Sequence, residues 1–129
     1  AAIKALAPIE VSRMKKALGF GEDRIGSFAE LAAFMPAALE MTLPGSVFEK
    51  FHFAVSEENR IRWQWESGQC FAYQGISRMG AIDGYDCGVM YRIECWLHAM
   101  GVEYGMTPQI KGCLMHQTGA CEGEIRVVL

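Results

Sequence analysis

The chain has 129 residues, of which 51% are hydrophobic and 21% are charged. This balance is typical of one folded domain and excludes intrinsic disorder. The formal net charge of -3 argues against nucleic acid as a partner, because phosphate binding needs a basic surface. No apolar stretch approaches the roughly 20 residues that span a bilayer, so no membrane partner is expected.

Two helices are predicted in the N-terminal part. Residues 8–18 have apolar side chains at helical spacing, with a proline near the start and Gly19 as a stop. Ser27 and Glu30 form a capping box that predicts the start of a second helix. Pro36 is expected to kink or restart this helix, which ends near residues 43–45.

The period then changes from that of a helix to that of a strand. Apolar and polar residues alternate over 47–55 and again over 60–66, where Trp63 and Trp65 fall on one face. The polar residues 56–59 connect the two segments, so a β-hairpin is predicted.

Two further helices are predicted next. Ser67 caps a helix that runs to about residue 79, and Asp83 caps another that runs to about residue 100. Cys70 and Cys87 then fall in the two first turns, where exposed amides favour a thiolate and lower the thiol pKa.

Alternating segments at 102–106 and 122–129 predict C-terminal strands. The fold class is therefore predicted as α+β, with an antiparallel sheet of four to five strands and helices packed mainly on one face. The whole chain is interpreted as a single domain, with N-terminal helices in 1–45 and the sheet, further helices and cysteines in 46–129.

The cysteines indicate a reducing compartment. There are five, an odd number that would leave one thiol unpaired in a secreted protein. The opening residues also lack the charged start and apolar middle of a signal peptide. A cytoplasmic location is expected.

Geometry limits which cysteines can act together. On one helix, Cys87 and Cys95 would lie about 12 Å apart along the axis, at about 1.5 Å per residue. Two thiolates on one zinc ion must lie within about 4 Å of each other. Cys95 is therefore interpreted as a core residue.

The other cysteines form a candidate zinc site. Cys113 and Cys121 flank a predicted hairpin turn, and His116 follows Cys113 at the two-residue gap of zinc loops. Cys87 adds a third thiolate, and His116 or Cys70 completes four ligands. The alternative is that the cysteines are small buried hydrophobes, as free cysteines commonly are.

Aromatic residues point to an apolar pocket between helices and sheet. Such a pocket is a common site for a small apolar or aromatic molecule, although a plain core explains the same residues. The candidate ligand-binding residues are Trp63, Trp65, Tyr91 and Trp96.

The segment from residue 87 to 129 resembles the 4-vinyl-reductase-like domain, which also serves as the sensory module of phenol-responsive bacterial transcription regulators. The matching positions are Cys87, Cys113, Cys121 and Gly119. The resemblance implies zinc bound by these cysteines beside a small-molecule pocket. The family's glutamate ligand is replaced here by Ile110, so His116 is taken as the fourth ligand.

Residues 63–129 also resemble a family of uncharacterised small prokaryotic cytosolic proteins. A more distant likeness is to aminothiazoline-carboxylate hydrolase-like proteins, which share cysteine-rich α+β domains. The residues that carry the former resemblance are Trp65, Cys70, Gly80, Tyr85, Cys87, Gly88, Trp96 and Pro108.

Three functions follow as hypotheses. The first is a zinc-stabilised small-molecule-binding domain. The second is a small hydrolase or reductase of heterocyclic substrates, with Cys87 or Cys70 as nucleophile. The third is an interaction protein that forms a homodimer through the Trp63 and Trp65 face or through the C-terminal strand.

Overall fold

The computed structural model describes residues 2–20 and 25–128. Its helices are α1 Ala2–Ala17, α2 Phe28–Thr42, α3 Gly45–Phe48, α4 Phe71–Arg78, α5 Gly88–Ala99 and α6 Leu114–Thr118. Its strands are β1 Phe51–Glu57, β2 Arg60–Trp65, β3 Glu103–Thr107 and β4 Glu122–Val128. A single 3-10 turn, Ile82–Gly84, is described between α4 and α5.

The four described strands form one antiparallel sheet in the order β1-β2-β4-β3. Strand β2 shows that the sheet has one buried and one exposed face, because Ile61, Trp63 and Trp65 are buried while the residues between them point outward. The predicted α+β class with an antiparallel sheet of four to five strands is confirmed.

The outward face of the sheet is charged and ion-paired. Arg60 lies 3.3 Å from Glu124, and Arg62 lies 3.3 Å from Glu122, across the β2 and β4 pair. Opposite charges on neighbouring strands suit a solvated sheet face. The helices therefore cover the other face, where the tryptophans are buried.

The N-terminal helices follow the sequence prediction in part. Ser27 is the N-cap of α2, and its oxygen accepts a hydrogen bond from Glu30 N at 3.2 Å, as predicted. Helix α2 continues through Pro36 to Thr42. Phe34, on the same helix, has no exposed surface. Its burial stabilises the helix and helps to offset the free energy lost with the hydrogen bond that Pro36 cannot donate.

The predicted hairpin is confirmed, but its first strand begins later than expected. Residues 45–48 form the short helix α3, and β1 begins at Phe51. Pro44 precedes this helix, and its fixed φ favours a helical start over an extended segment.

The starts of α4 and α5 correct the sequence analysis. Neither Ser67 nor Asp83 is a helix cap, and the N-caps are Cys70 and Cys87. These cysteines therefore precede their helices instead of lying in the first turns. A thiol is not among the preferred N-cap groups, so sequence rules place the boundary elsewhere.

The predicted hairpin between Cys113 and Cys121 is wrong. The segment after β3 is irregular, because Pro108 has no N–H to continue the strand ladder. Helix α6 then separates the two cysteines and ends at Gly119, whose φ of 82° is left-handed. A glycine is favoured there, since it adopts this conformation without steric cost.

Both surfaces suggested for a homodimer are covered by the chain itself. Trp63 and Trp65 are buried, and β4 lies between β2 and β3 rather than at an edge. None of the helices in the described ranges has both the length and the apolar character needed to cross a bilayer.

Candidate metal centre and adjoining pocket

Four cysteines from four chain segments lie near one another. Cys70, Cys87 and Cys113 each precede a helix, and Cys121 directly precedes β4. They are close enough for charge on one thiol to act on another. A thiolate at Cys70 or Cys113 raises the pKa of Cys87, in addition to the larger effect of burial. We call these four residues the thiol cluster.

The fifth cysteine lies elsewhere. Cys95, in the middle of α5, contacts Tyr91. A charge on Cys95 also raises the pKa of Tyr104, in addition to the larger effect of burial. It is buried, in agreement with the prediction that it belongs to the core.

Helix α6 holds the segments of the cluster together. Met115 Sδ lies 3.3 Å from Gly68 N, which fixes the loop before Cys70. His116 Nε2 lies 2.7 Å from Asp83 Oδ1, which fixes the turn before Cys87. Trp65 N donates to Cys121 O at 3.0 Å, which joins the end of β2 to the start of β4. These contacts, two of which are made by helix α6, hold the segments that carry the thiols next to one another.

Backbone amides at the starts of two helices lie near two of the sulfurs. Met90 N lies 3.5 Å from Cys87 Sγ, and the amides of Tyr73 and Ala72 interact with the Cys70 thiol. These amides lower both thiol pKa values, because they stabilise the thiolate.

Burial outweighs this effect. It raises the pKa of Cys70 and Cys87 above the ordinary value, and it raises that of Cys121 to about 12. The expectation that the helix starts leave Cys70 and Cys87 with lowered pKa values is therefore wrong. Without a cation these thiols are neutral at pH 7, which is the opposite of an activated nucleophile.

Trp63 supplies an unused hydrogen-bond donor beside Cys121. Its indole is fully buried, and its Nε1 has no partner with hydrogen-bond geometry in the described structure. The same group lies near enough to the Cys121 sulfur to lower the pKa of that thiol. A thiolate accepts a hydrogen bond better than a thiol, so this donor suits a charged sulfur.

Of the four predicted metal ligands, His116 is placed differently from the others. Its ring pairs with Asp83, and its side chain is 39% exposed while that of Asp83 is 93% exposed. Cys87, Cys113 and Cys121 belong to the thiol cluster, together with Cys70. Cys70 and Cys87 share one feature, since each directly precedes a helix. This shared position is the signal that could have placed Cys70 in the same site as Cys87.

The donor chemistry of the cluster fits zinc. Thiolates are preferred zinc ligands, and amides or an indole N–H beside the sulfurs stabilise their charge. In residues 2–20 and 25–128, no three His, Cys, Asp or Glu side chains are arranged to hold an ion as they stand. The sulfurs of the cluster would therefore have to turn toward a common centre before they could hold a metal ion.

An apolar pocket of about 260 Å³ adjoins the cluster. The first residues of α4 and α5, which directly follow Cys70 and Cys87, form one side of it. The lining residues are Ile3, Leu39, Thr42, Leu43, Phe71, Ala72, Tyr85, Gly88, Val89, Arg92, Ile93 and Trp96.

Tyr85 and Arg92 are two of the polar residues on the wall of this pocket, and neither was among the predicted ligand-binding residues. The hydroxyl of Tyr85 accepts a hydrogen bond from Gly88 N at 3.1 Å, and the Arg92 guanidinium lies 5.6 Å from the centre of the Trp96 ring. Arg92 also pairs with Glu10 of α1. No local pattern marks either residue, because the pocket forms only when α1, α2, α4 and α5 meet.

The predicted ligand-binding aromatics are divided between core and surface. Trp96 lines the apolar pocket, whereas Trp63 and Trp65 are buried against the sheet. Tyr91 borders a separate depression of about 200 Å³ with Tyr104. A wider depression of about 990 Å³ along β3 is lined largely by polar side chains, and none of the four thiols is among its lining residues. The smaller apolar pocket is the better ligand site, because it is apolar and adjoins the cluster.

Comparison of the chain with models of protein families, with curated proteins and with solved structures gave no match.

Proposed function

We propose that this chain is a small-molecule-binding domain that is stabilised by a structural zinc ion. The observation that carries the proposal is a cluster of four thiols, three of them buried, beside an apolar pocket. The proposed ligands include Cys87, Cys113 and Cys121, the same three positions that carry the resemblance to the 4-vinyl-reductase-like domain.

Zinc would have a clear structural role here. The segments that carry the thiols are loops and helix starts, which regular hydrogen bonding alone fixes poorly. One ion bound by several of them would join these segments, and the binding free energy would become folding free energy. The five free cysteines also support a reducing compartment such as the cytoplasm.

The pocket supports a small apolar or aromatic ligand. An apolar cavity of about 150 Å³ suffices for benzene, so a pocket of this size accepts a single substituted ring. Tyr85 and Arg92 provide a hydroxyl and a cation at its wall, which would orient a ligand that carries a polar substituent.

The alternative, a hydrolase or reductase with Cys70 or Cys87 as nucleophile, is disfavoured by the raised thiol pKa values. Alkylation with iodoacetamide distinguishes the two. Rapid modification of one thiol below pH 7 in the metal-free protein would support the enzyme, and uniformly slow modification would support the binding domain.

The metal proposal is tested by thermal unfolding with and without a chelator, in reducing buffer. We expect the wild type to lose several degrees of Tm on chelation and to regain them with added zinc. Cys95→Ser is the matched control and should respond like the wild type, whereas Cys113→Ser should not respond. Identical melting of the wild type with and without chelator would contradict the proposal.

The pocket is tested by ligand-observed NMR with phenol, toluene and benzoate. Ala72→Phe should fill the pocket and abolish binding. Ala54→Phe, on the exposed face of β1, should leave binding unchanged. No binding of any of these probes by the wild type, or equal binding by both variants, would contradict this site.

A further inference from the structure

The wall of the apolar pocket contains a buried hydrogen-bond donor that is not used by the protein. Trp96 lines the pocket and is only 1% exposed. Its indole Nε1 has no hydrogen-bond partner among the residues that the structure describes. An indole N–H can only donate, and burying it without an acceptor is unfavourable. A molecule in the pocket that supplies an acceptor would remove this cost.

Tyr85 adds a second donor to the same wall. Its hydroxyl oxygen already accepts a hydrogen bond from Gly88 N at 3.1 Å. Burial raises the pKa of Tyr85, so the phenol keeps its proton at pH 7 and can donate it to a ligand. The hydroxyl of Thr42 differs, because it already donates to Ala38 O at 2.8 Å. The pocket therefore favours a ligand with an acceptor, whereas a donor on the ligand is not required.

The positive charge at the wall is already compensated. Of the residues in 2–20 and 25–128 that line the pocket, only Arg92 is charged, and it forms an ion pair with Glu10. An anionic ligand would compete with the Glu10 carboxylate for Arg92, and it would lose its hydration in apolar surroundings. A neutral ligand avoids both costs.

We infer that the pocket binds a neutral, largely apolar molecule with a hydrogen-bond acceptor, such as an aryl ketone or ester, and that Trp96 Nε1 donates to this acceptor. A volume of about 260 Å³ accommodates one ring with a small carbonyl substituent. This inference rests on the pocket of the proposed function and does not depend on zinc.

The test compares acetophenone with α-methylstyrene, which has nearly the same shape but a methylene group in place of the carbonyl oxygen. Both affinities are measured by NMR titration of the full chain, and their ratio isolates the contribution of the oxygen. Trp96→Phe keeps an aromatic ring but loses the N–H. In this variant the affinity for acetophenone relative to α-methylstyrene should fall about fivefold, the usual effect of one hydrogen bond. Tyr91→Phe, on the same helix but outside the pocket, is the control and should keep the wild-type ratio.

A measurement on the wild type tests the same inference without a variant that has to fold. In protein with nitrogen-15 labelled tryptophan, one indole N–H resonance should move further downfield with acetophenone than with α-methylstyrene. Benzoate should bind more weakly than acetophenone.

The possible failures are distinguishable. An unchanged affinity ratio in Trp96→Phe, or indole resonances that respond alike to both ligands, would overturn the inference while the pocket itself stands. Tighter binding of benzoate than of acetophenone would overturn it as well. If neither acetophenone nor α-methylstyrene binds, the pocket of the proposed function fails, and this inference fails with it.

Discussion

Trp63 belongs to strand β2 and lies beside Cys121 of the thiol cluster. It lies opposite Gly123 in the β2 and β4 pair, and its indole covers that glycine. A Cβ at position 123 would lie 2.4 Å from the Trp63 ring and 2.5 Å from Thr107 O. Neither neighbour can give way easily, because one is a buried ring and the other is backbone. The glycine therefore leaves room for the Trp63 ring, which lies beside Cys121.

We predict that Gly123→Ala lowers the free energy of unfolding by about 1–3 kcal/mol, the usual range for overpacking a core. Gly105→Ala in the neighbouring strand β3 is the control. Its Cβ would meet only the flexible end of Arg126, at 3.5 Å, so a change within about 0.5 kcal/mol is expected. Urea unfolding of both variants measures the difference, and equal effects would contradict this account of Trp63.

Cys121 gives a prediction for pH. Its pKa in the folded, metal-free protein is raised by burial from 9.0 to about 12, so folding favours the protonated thiol. This contribution to stability is complete below pH 9 and is lost as the pH rises from 9 toward 12. Cys70 and Cys87 act in the same direction.

We therefore expect the metal-free, reduced wild type to lose about 1 kcal/mol more stability between pH 8 and pH 10 than Cys121→Ser, whose hydroxyl does not titrate there. The measurement is urea unfolding at the two pH values with chelator present. Parallel pH dependence of the two proteins would show that Cys121 is not a buried neutral thiol.

At the scale of elements, cysteine is an unusual choice at the starts of α4 and α5. Serine, threonine, aspartate and asparagine cap helices better than a thiol does. Helices α4 and α5 are therefore capped less strongly than they would be by serine or aspartate. The proposed metal site would give a physical reason for cysteine at both positions.

We expect opposite effects of Cys87→Ser on the stability of the metal-free and the zinc-loaded protein. Without metal, the variant should be as stable as the wild type or up to about 1 kcal/mol more stable, because serine is the better N-cap. With equimolar zinc, the wild type should gain stability and the variant should not. Chemical unfolding with and without zinc measures both. A variant that gains as much from zinc as the wild type would exclude Cys87 as a ligand.

The elements also show which parts of the fold follow from local sequence. The capping box at Ser27 and the alternation in β2 are local patterns with a strong physical basis, and both are found as predicted. The start of α5 was missed because Cys87 is not a recognised cap. Helix α6 was missed because it is only five residues long and depends on contacts with Gly68 and Asp83.

At the scale of the whole molecule, the site depends on long-range assembly. Cys70 and Cys121 are distant in sequence, and only the pairing of β2 with β4 and the packing of α6 bring their segments together. The sequence could therefore suggest a common site for the cysteines, which stays a prediction, but not that His116 pairs with Asp83. The position of the pocket beside the thiols likewise depends on how four helices pack.

We propose that the thiol cluster holds one zinc ion. Its most direct test is native mass spectrometry of the full chain, purified in reducing buffer from cells grown without added metal. The account predicts about one zinc per chain in the wild type and in Cys95→Ser, and none in Cys113→Ser. A wild-type chain that is fully folded, metal-free and unchanged by added zinc would contradict it, and the cysteines would then be free thiols that pack as small hydrophobes.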